Sequence, residues 1–341
     1  MSERNMHVPD ELRCLDHAQP LTTGGGQIED ASVLTCASGC RVPVVNGIPR
    51  FVDSTNYASA FGLQWKKFKK TQLDSYTGTT ISKDRLTRCF GGSLEVVRGK
   101  SVLEVGCGAG RFTELLLDAG ANVFACDLSR AVEANYENCH QWPDYFVCQA
   151  NALRVPVLPR SFDFVLCIGV IQHTPSPEET IAALAGYIKP GGTLVIDHYS
   201  PYYVQNFLQR NLRRILIRLP APLAKPLTLG LARALLPLHR LSLKWVPKRG
   251  LWRLRAALLK HSPFLDYLEL FPELGDQLMG EWSVLDTHDA LTDYYKHLRT
   301  REQIEACLRS CGLVELEVSY GGNGVEARAK MPASAVAGSG L

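Results

Sequence analysis

The chain has 341 residues, 46% of them hydrophobic, and carries 37 Lys and Arg against 34 Asp and Glu. That apolar share and a net charge of +3 exclude a disordered chain, and the length suffices for one large or two modest domains with buried cores. The cysteines number eleven, and Cys107, Cys126, Cys148 and Cys167 sit within apolar runs, which suits reduced thiols better than a disulfide framework.

The opening MSERNMHVPDELRC lacks the apolar core of a secretory signal, and no uninterrupted apolar run reaches the ~20 residues of a membrane span, so a cytoplasmic location is expected. Residues 12 to 53 are rich in cysteine and turn residues, with strand-like runs at Val33 to Thr35, Arg41 to Val45 and Pro49 to Val52. The Asn46-Gly47 pair fits a tight hairpin turn there. Residues 57 to 98 read as helical, with Phe61, Trp65, Phe68 and Leu73 on one apolar side.

From Ser101 to His198 the strands SVLEV, NVFACD, DYFVCQ, FDFVLCIG and GTLVIDH alternate with the helices RFTELLLDAG, RAVEANYENC and PEETIAALAGYI. Such alternation predicts a parallel sheet covered on both faces. A basic stretch then interrupts it: from Pro201 to Ser262 there are many Arg and Lys and no acidic residue. Within it Val204, Phe207, Leu208, Leu212, Ile215 and Leu216 recur at helical spacing opposite Gln205, Gln209, Arg210, Arg213 and Arg214, and prolines are expected to cut the remainder into short helices. A helix from about Thr300 to Cys311 follows, then the strands LVELEVSY and GVEARAK joined by the turn GGNG. The expected division is 1–55 ribbon-like module, 56–200 lid helices and core, 201–299 helical basic insert, 300–330 the end of the core, and 331–341 a disordered tail.

Gly106, Gly108 and Gly110 follow the first strand of the parallel set and open a helix, where an open sheet receives a ligand at its carboxyl edge. Asp127 ends the next strand, placed to accept ribose hydroxyls. The spacing is G-x-G-x-G; the third glycine of a dinucleotide fingerprint would fall at Arg111. Glu104 would repel a pyrophosphate but suits a ligand bearing an ammonium and a sulfonium.

LEVGCGAG at 103 to 110, Asp127, FDFVLCIGVIQHTP at 162 to 175 and IKPGGTLVID at 188 to 197 resemble the successive motifs of class I S-adenosylmethionine-dependent methyltransferases, across roughly residues 98 to 200 and 300 to 330. The resemblance implies an α/β, Rossmann-like seven-stranded methyltransferase sheet whose last strand is antiparallel. It also implies that Glu104, Gly106, Cys107, Gly108 and Gly110 line the methionine part of S-adenosylmethionine, Asp127 the ribose, Leu128 the adenine face, and Ile168 with Gly169 the floor beneath the sulfonium. Asn151, beside Ala152, stands where such families often carry an aspartate for the adenine amine; its amide oxygen can accept the same bond. Gln64 and Trp65 fall in a stretch similar to the N-terminal helix that closes over the cofactor in bacterial relatives.

Methyl transfer requires alignment and, for a hydroxyl nucleophile, a base. His173, Asp197 and His198 are expected at the carboxyl edge as catalytic candidates, with packing as the competing role for each. Cys14, His17, Cys36 and Cys40 resemble the zinc-ribbon-like segment that precedes the catalytic domain in many bacterial methyltransferases, and imply a structural zinc site or a degenerate ribbon. The 201–299 insert leaves three roles open: a substrate-binding or dimer-forming cap, a peripheral membrane contact, or a nucleic-acid surface, the last disfavoured by sparse aromatics. The expected function is methylation of a small-molecule acceptor at oxygen or nitrogen, such as a specialised metabolite, sugar or lipid precursor; the alternatives are an RNA methyltransferase and a cofactor-binding protein without catalysis.

Overall fold

A computed structural model of the chain describes residues 8–24, 32–53, 68–203, 205–248, 250–322 and 324–333. Phe61, Gln64 and Trp65 of the expected lid lie outside them. The chain forms two compact units: Met1–Asn56, Ile81–Tyr203 and Tyr295–Leu341 make the first, and Tyr57–Thr80 with Val204–Tyr294 the second.

In the first unit a small antiparallel sheet comprises β1 (Val33–Thr35), β2 (Arg41–Val45) and β3 (Ile48–Pro49). Asn46 and Gly47 both take positive φ, 53° and 75°, and make the two-residue β2–β3 turn that their residue types favour. The main sheet contains β4 (Ser101–Val105), β5 (Asn122–Asp127), β6 (Tyr145–Gln149), β7 (Phe162–Cys167), β8 (Ile188–Tyr199), β9 (Val314–Gly321) and β10 (Gly324–Lys330). Its order is β6-β5-β4-β7-β8-β10-β9. β4 to β8 run parallel, whereas β10 pairs antiparallel with both β8 and β9.

This is the seven-stranded α/β methyltransferase arrangement, with the terminal hairpin inserting its second strand between the first and the parallel set. Helices Thr113–Asp118, Val132–Cys139, Pro177–Ala185 and Arg301–Ser310 accompany the sheet. β6 is buried along its whole length, and its residues before Gln149 read as an apolar run. The N-terminal module joins the same core through Leu12, Leu34 and Ile48, and its chain is tied on by bonds from Arg13 N to Pro156 O and from Phe51 N to Gln149 O.

The second unit is helical, with Phe207–Leu216, Ala221–Leu243, Leu251–His261 and Gly275–Thr292 around a core of Phe68, Leu229, Ala232, Phe264, Val284 and Leu285. Two expectations are corrected here. Pro226 and Pro237 sit inside one 23-residue helix rather than ending short ones. Each removes a backbone bond at a cost of roughly 3 kcal/mol, but the face formed by Ala224, Thr228, Ala232, His239 and Ser242 stays buried across both, so packing outweighs propensity.

The Phe207–Leu216 helix keeps Leu216 buried and Arg210 and Arg214 exposed, as its periodicity predicts, but is rotated away from the rest of the expected apolar face. Gln209 is buried, completes a capping box with Asn206 and donates to Pro263 O, and Arg213 pairs with the buried Asp293. Phe207 and Ile215 face solvent. Polar groups with dedicated partners can displace leucine-like side chains from an interior, and no periodicity count registers the partners.

Candidate functional site

β4 is the strand from which the chain proceeds to β5 and β6 on one side and to β7 and β8 on the other, so the loops at its carboxyl end part and leave a crevice. Gly106, Gly108 and Gly110 follow it with φ of 79°, 52° and 98°, a region in which other residues are strained. A Cβ on Gly106 would lie 2.2 Å from Val170 Cγ2, so this glycine also lets the loops after β4 and β7 approach each other. Gly106 N and Cys107 N both donate to Cys126 O, at 2.7 and 3.1 Å, and Gly108 N donates to Asp127 Oδ2 at 3.0 Å. The loop is thereby fastened to the tip of β5.

Asp127 Oδ1 accepts from both the backbone N–H and the hydroxyl of Ser129, each at 2.7 Å. Burial raises its pKa, opposed by those bonds and the one from Gly108. A carboxylate offers about four acceptor sites, so these three bonds leave room on Oδ2 for one more donor. Glu104 is buried within β4 and accepts from Thr113 Oγ1 at 2.6 Å. Burial pushes its pKa up to about 8, aided by the Asp127 charge and opposed by the Thr113 bond.

Behind Thr113 the buried Asn135 donates to Thr113 Oγ1 at 2.9 Å and to Cys107 O at 3.4 Å, while Tyr145 OH donates to Asn135 Oδ1 at 2.6 Å. The hydroxyl that serves Glu104 is therefore fixed by a fully bonded internal network. A buried and a half-buried carboxyl so close to one glycine loop form a cradle for a ligand that brings an ammonium and hydroxyl donors. That is the chemistry of an adenosyl-amino acid sulfonium, so these residues fit S-adenosylmethionine.

Around this cradle, Leu128 O accepts from Gln149 Nε2 at 2.9 Å, and Arg50 of the N-terminal module donates to Gln149 Oε1 at 3.1 Å. Asn151 Oδ1 accepts from Leu153 N at 3.0 Å, which orients the amide, and Ala152 lies in that same turn. Ile168 is buried after β7, and Gly169 N donates to Asp197 Oδ1 at 2.6 Å. Asp197 Oδ2 pairs with Arg85 of the Ile81–Cys89 helix; the carboxylate is buried and the guanidinium half-buried. Asp197 thus clamps the Gly169 backbone.

His198 Nδ1 lies 2.8 Å from Tyr199 O, and burial lowers its pKa to about 4. His173 Nδ1 lies 3.0 Å from Tyr295 O. A carbonyl only accepts, so Nδ1 carries the proton in each ring and Nε2 is the basic nitrogen. His173 meets the edge of Tyr199 at 5.3 Å, and Tyr199 stacks on Tyr203 at 4.4 Å with 3° between planes. Tyr202 instead meets Tyr320.

The sequence reading missed Thr113, Asn135, Tyr145, Ser129 and Arg85. Thr113 and Ser129 stand next to recognised motifs, and a search for hydroxyls beside Glu104 and Asp127 would find them. Asn135, Tyr145 and Arg85 carry no local signal, because their partners come from other strands.

Apart from the crevice, the ligand atoms of Cys14, His17, Cys36 and Cys40 all lie within 4.8 Å of one another. His17 Nδ1 is 3.8, 3.8 and 3.3 Å from the sulfurs of Cys14, Cys36 and Cys40. Tetrahedral zinc with Zn–S of ~2.3 Å separates its ligand atoms by about 3.5–3.8 Å, so the set fits a zinc ion. Burial would raise the Cys14 thiol, but backbone N–H groups at Asp16 and His17 and the His17 ring bring it down to about 7, while the bond with Cys14 and burial push Cys40 up to about 12. Elemental analysis is expected to find about one zinc per chain, and Cys36→Ser to lose it together with thermal stability. A metal-free wild type whose unfolding is unchanged by a chelator would contradict this.

Residues 103–196 match the family model described as methyltransferase domain. A ubiquinone biosynthesis O-methyltransferase of Ralstonia nicotianae is 39% identical over 105 residues, 29% of this chain and 43% of that one. One from Dechloromonas aromatica is 35% identical over 103 residues, 29% and 44% of the two chains. The chain thus spans less than half the length of these curated relatives. Among solved structures, a SAM-dependent methyltransferase of Thermotoga maritima aligns with TM-score 0.42 and 15% identity, covering 81% of this chain and 98% of that one. The matched segment, on a sheet of this order, is a methyltransferase domain of the class I, S-adenosylmethionine-dependent kind.

Proposed function

We propose that the protein transfers a methyl group from S-adenosylmethionine to an oxygen of a small-molecule acceptor. The observation that carries this reading is the pair of carboxyls, buried Glu104 and half-buried Asp127, around a positive-φ glycine loop at the sheet's switch point. The curated relatives, named as O-methyltransferases, support oxygen as the acceptor atom over the matched third of the chain. When bound, S-adenosylmethionine supplies a methyl carbon already activated by positive sulfur. The chain has to align, shield and deprotonate.

In this reading Glu104 holds the ammonium, Asp127 a ribose hydroxyl, and Asn151 with Leu128 and Ala152 the adenine. Cys107, Gly108 and Gly110 supply close-approaching backbone. Ile168 and Gly169 form an apolar floor whose position depends on the Arg85–Asp197 clamp, so Asp197 acts through the backbone it holds. His198, at a pKa of about 4, makes a poor proton acceptor near neutrality and is assigned a packing role. His173 is assigned the base: its tautomer leaves Nε2 to take the acceptor's hydroxyl proton, and the adjoining Tyr199–Tyr203 stack suits a flat acceptor.

The test is methyl transfer to size-fractionated extract, read as a gain of one CH2 on a small molecule. His173→Gln is expected to lower kcat about 10²- to 10⁴-fold while donor affinity is unchanged. An unaltered kcat would remove His173 from the chemistry. Methylation that disappears after nuclease treatment of the substrate would replace the small molecule with RNA.

A further inference from the structure

The helical unit buries Phe68, Phe264 and Trp282 yet leaves several leucines exposed. In the Ala221–Leu243 helix, Leu223, Leu227, Leu238 and Leu241 are 56, 57, 39 and 51% exposed, while Ala224, Thr228, Ala232 and Ser242 are buried. At 3.6 residues per turn the four leucines fall within an arc of about 60°. They therefore form one continuous stripe on a helix of about 35 Å, with the exposed Arg233 beside it.

The Phe207–Leu216 helix repeats the pattern. Phe207, Leu208 and Ile215 are exposed, and the exposed Arg210, Arg214 and Arg218 recur every fourth residue alongside them. None of Arg210, Arg214, Arg218 or Arg233 takes part in a side-chain ion pair or hydrogen bond among the described residues. No acidic residue occurs anywhere from 201 to 262.

Charge decides what covers these faces. A second copy would bring only like charges together, an arrangement that costs stability in the way like-charge pairs do across any interface. A nucleic acid would satisfy the arginines and leave the leucine stripe in water. A bilayer surface with anionic headgroups satisfies both, with leucines at the acyl boundary and arginines at the phosphates. Among the described residues no helix is long and apolar enough to cross a membrane, so contact would be in the plane of the surface.

We propose that the exposed faces of the Ala221–Leu243 and Phe207–Leu216 helices dock the protein on an anionic lipid surface. Flotation of the full-length protein with vesicles tests this, using phosphatidylcholine alone or mixed with phosphatidylglycerol. Binding is expected to the mixed vesicles and to fall as salt is raised. The exposed-face variant Leu227→Glu/Leu238→Glu is expected to bind about tenfold more weakly per leucine, with unchanged circular dichroism and donor affinity. Arg210→Ala/Arg214→Ala, which leaves the leucines intact, is expected to weaken binding and flatten its salt dependence. The proposal fails if mixed vesicles do not retain the protein at low salt, if neutral vesicles retain it equally, or if both variants bind as the parent does. It fails too if the leucine substitutions abolish a dimer and no lipid binding is found. Vesicle binding is read without methyl transfer, so its failure is distinct from failure of the proposed activity.

Discussion

Gly106→Ala is expected to weaken S-adenosylmethionine binding about a hundredfold, the effect of displacing a positioning loop by about 1 Å. Two effects act together. At φ 79° an alanine enters the left-handed region, at roughly 1–2 kcal/mol. Its Cβ would also stand 2.2 Å from Val170 Cγ2 and 2.9 Å from Cγ1, and a β-branched side chain has few rotamers with which to withdraw. The loops after β4 and β7 must then separate, opening the crevice on which the donor site depends. Adding Val170→Ala removes both methyls but leaves the dihedral strain and a Cβ at 3.0 Å, so partial recovery is expected. Calorimetric affinities and melting temperatures of the single and double variants check this. Donor affinity equal to that of the parent in Gly106→Ala would show that the loops need not meet.

Glu104 should make donor affinity rise with pH. In the free protein burial holds its pKa near 8, against an ordinary 4.5, so between those values the folded chain binds more protons here than the unfolded chain. This group's contribution to stability therefore declines as pH rises from about 4.5 to about 8. A bound ammonium favours the carboxylate and reverses the shift, so binding below pH 8 releases a proton and tightens as pH approaches 8. Calorimetry at pH 7 in buffers of different ionisation enthalpy reads that proton directly. Glu104→Gln should abolish the release and cost about 10- to 100-fold in affinity, the worth of one hydrogen bond to a charged group. Proton release of the same size in the glutamine variant would assign it to another residue.

The sheet was legible because its signals are local. Buried parallel strands write themselves as apolar runs, Asn46-Gly47 and the glycines at 321 and 324 mark tight turns, and the parallel pattern places Gly106 and Asp127 at one edge. The helix expected from about Thr300 to Cys311 appears as Arg301–Ser310, with Thr300 as its N-cap. What stayed hidden depends on contacts between segments distant in sequence. Asn135 matters through Thr113 and Tyr145, and Arg85 through Asp197, 112 residues away. The Phe207–Leu216 helix departs from part of its expected face for the same reason: Gln209 and Arg213 have buried partners, and elsewhere in the unit His288 is buried against Thr228. Trp282, Val284, Leu285 and Leu291 of the Gly275–Thr292 helix are buried in that unit's interior.

The donor cradle is tested most directly by titrating intact wild-type protein with S-adenosylmethionine, with S-adenosylhomocysteine and with a nicotinamide dinucleotide in the calorimeter. Saturable binding of the first two at one site per chain, and none of the third, is the predicted result. A folded protein that gives no heat with either adenosyl ligand, or that binds the dinucleotide instead, would contradict it.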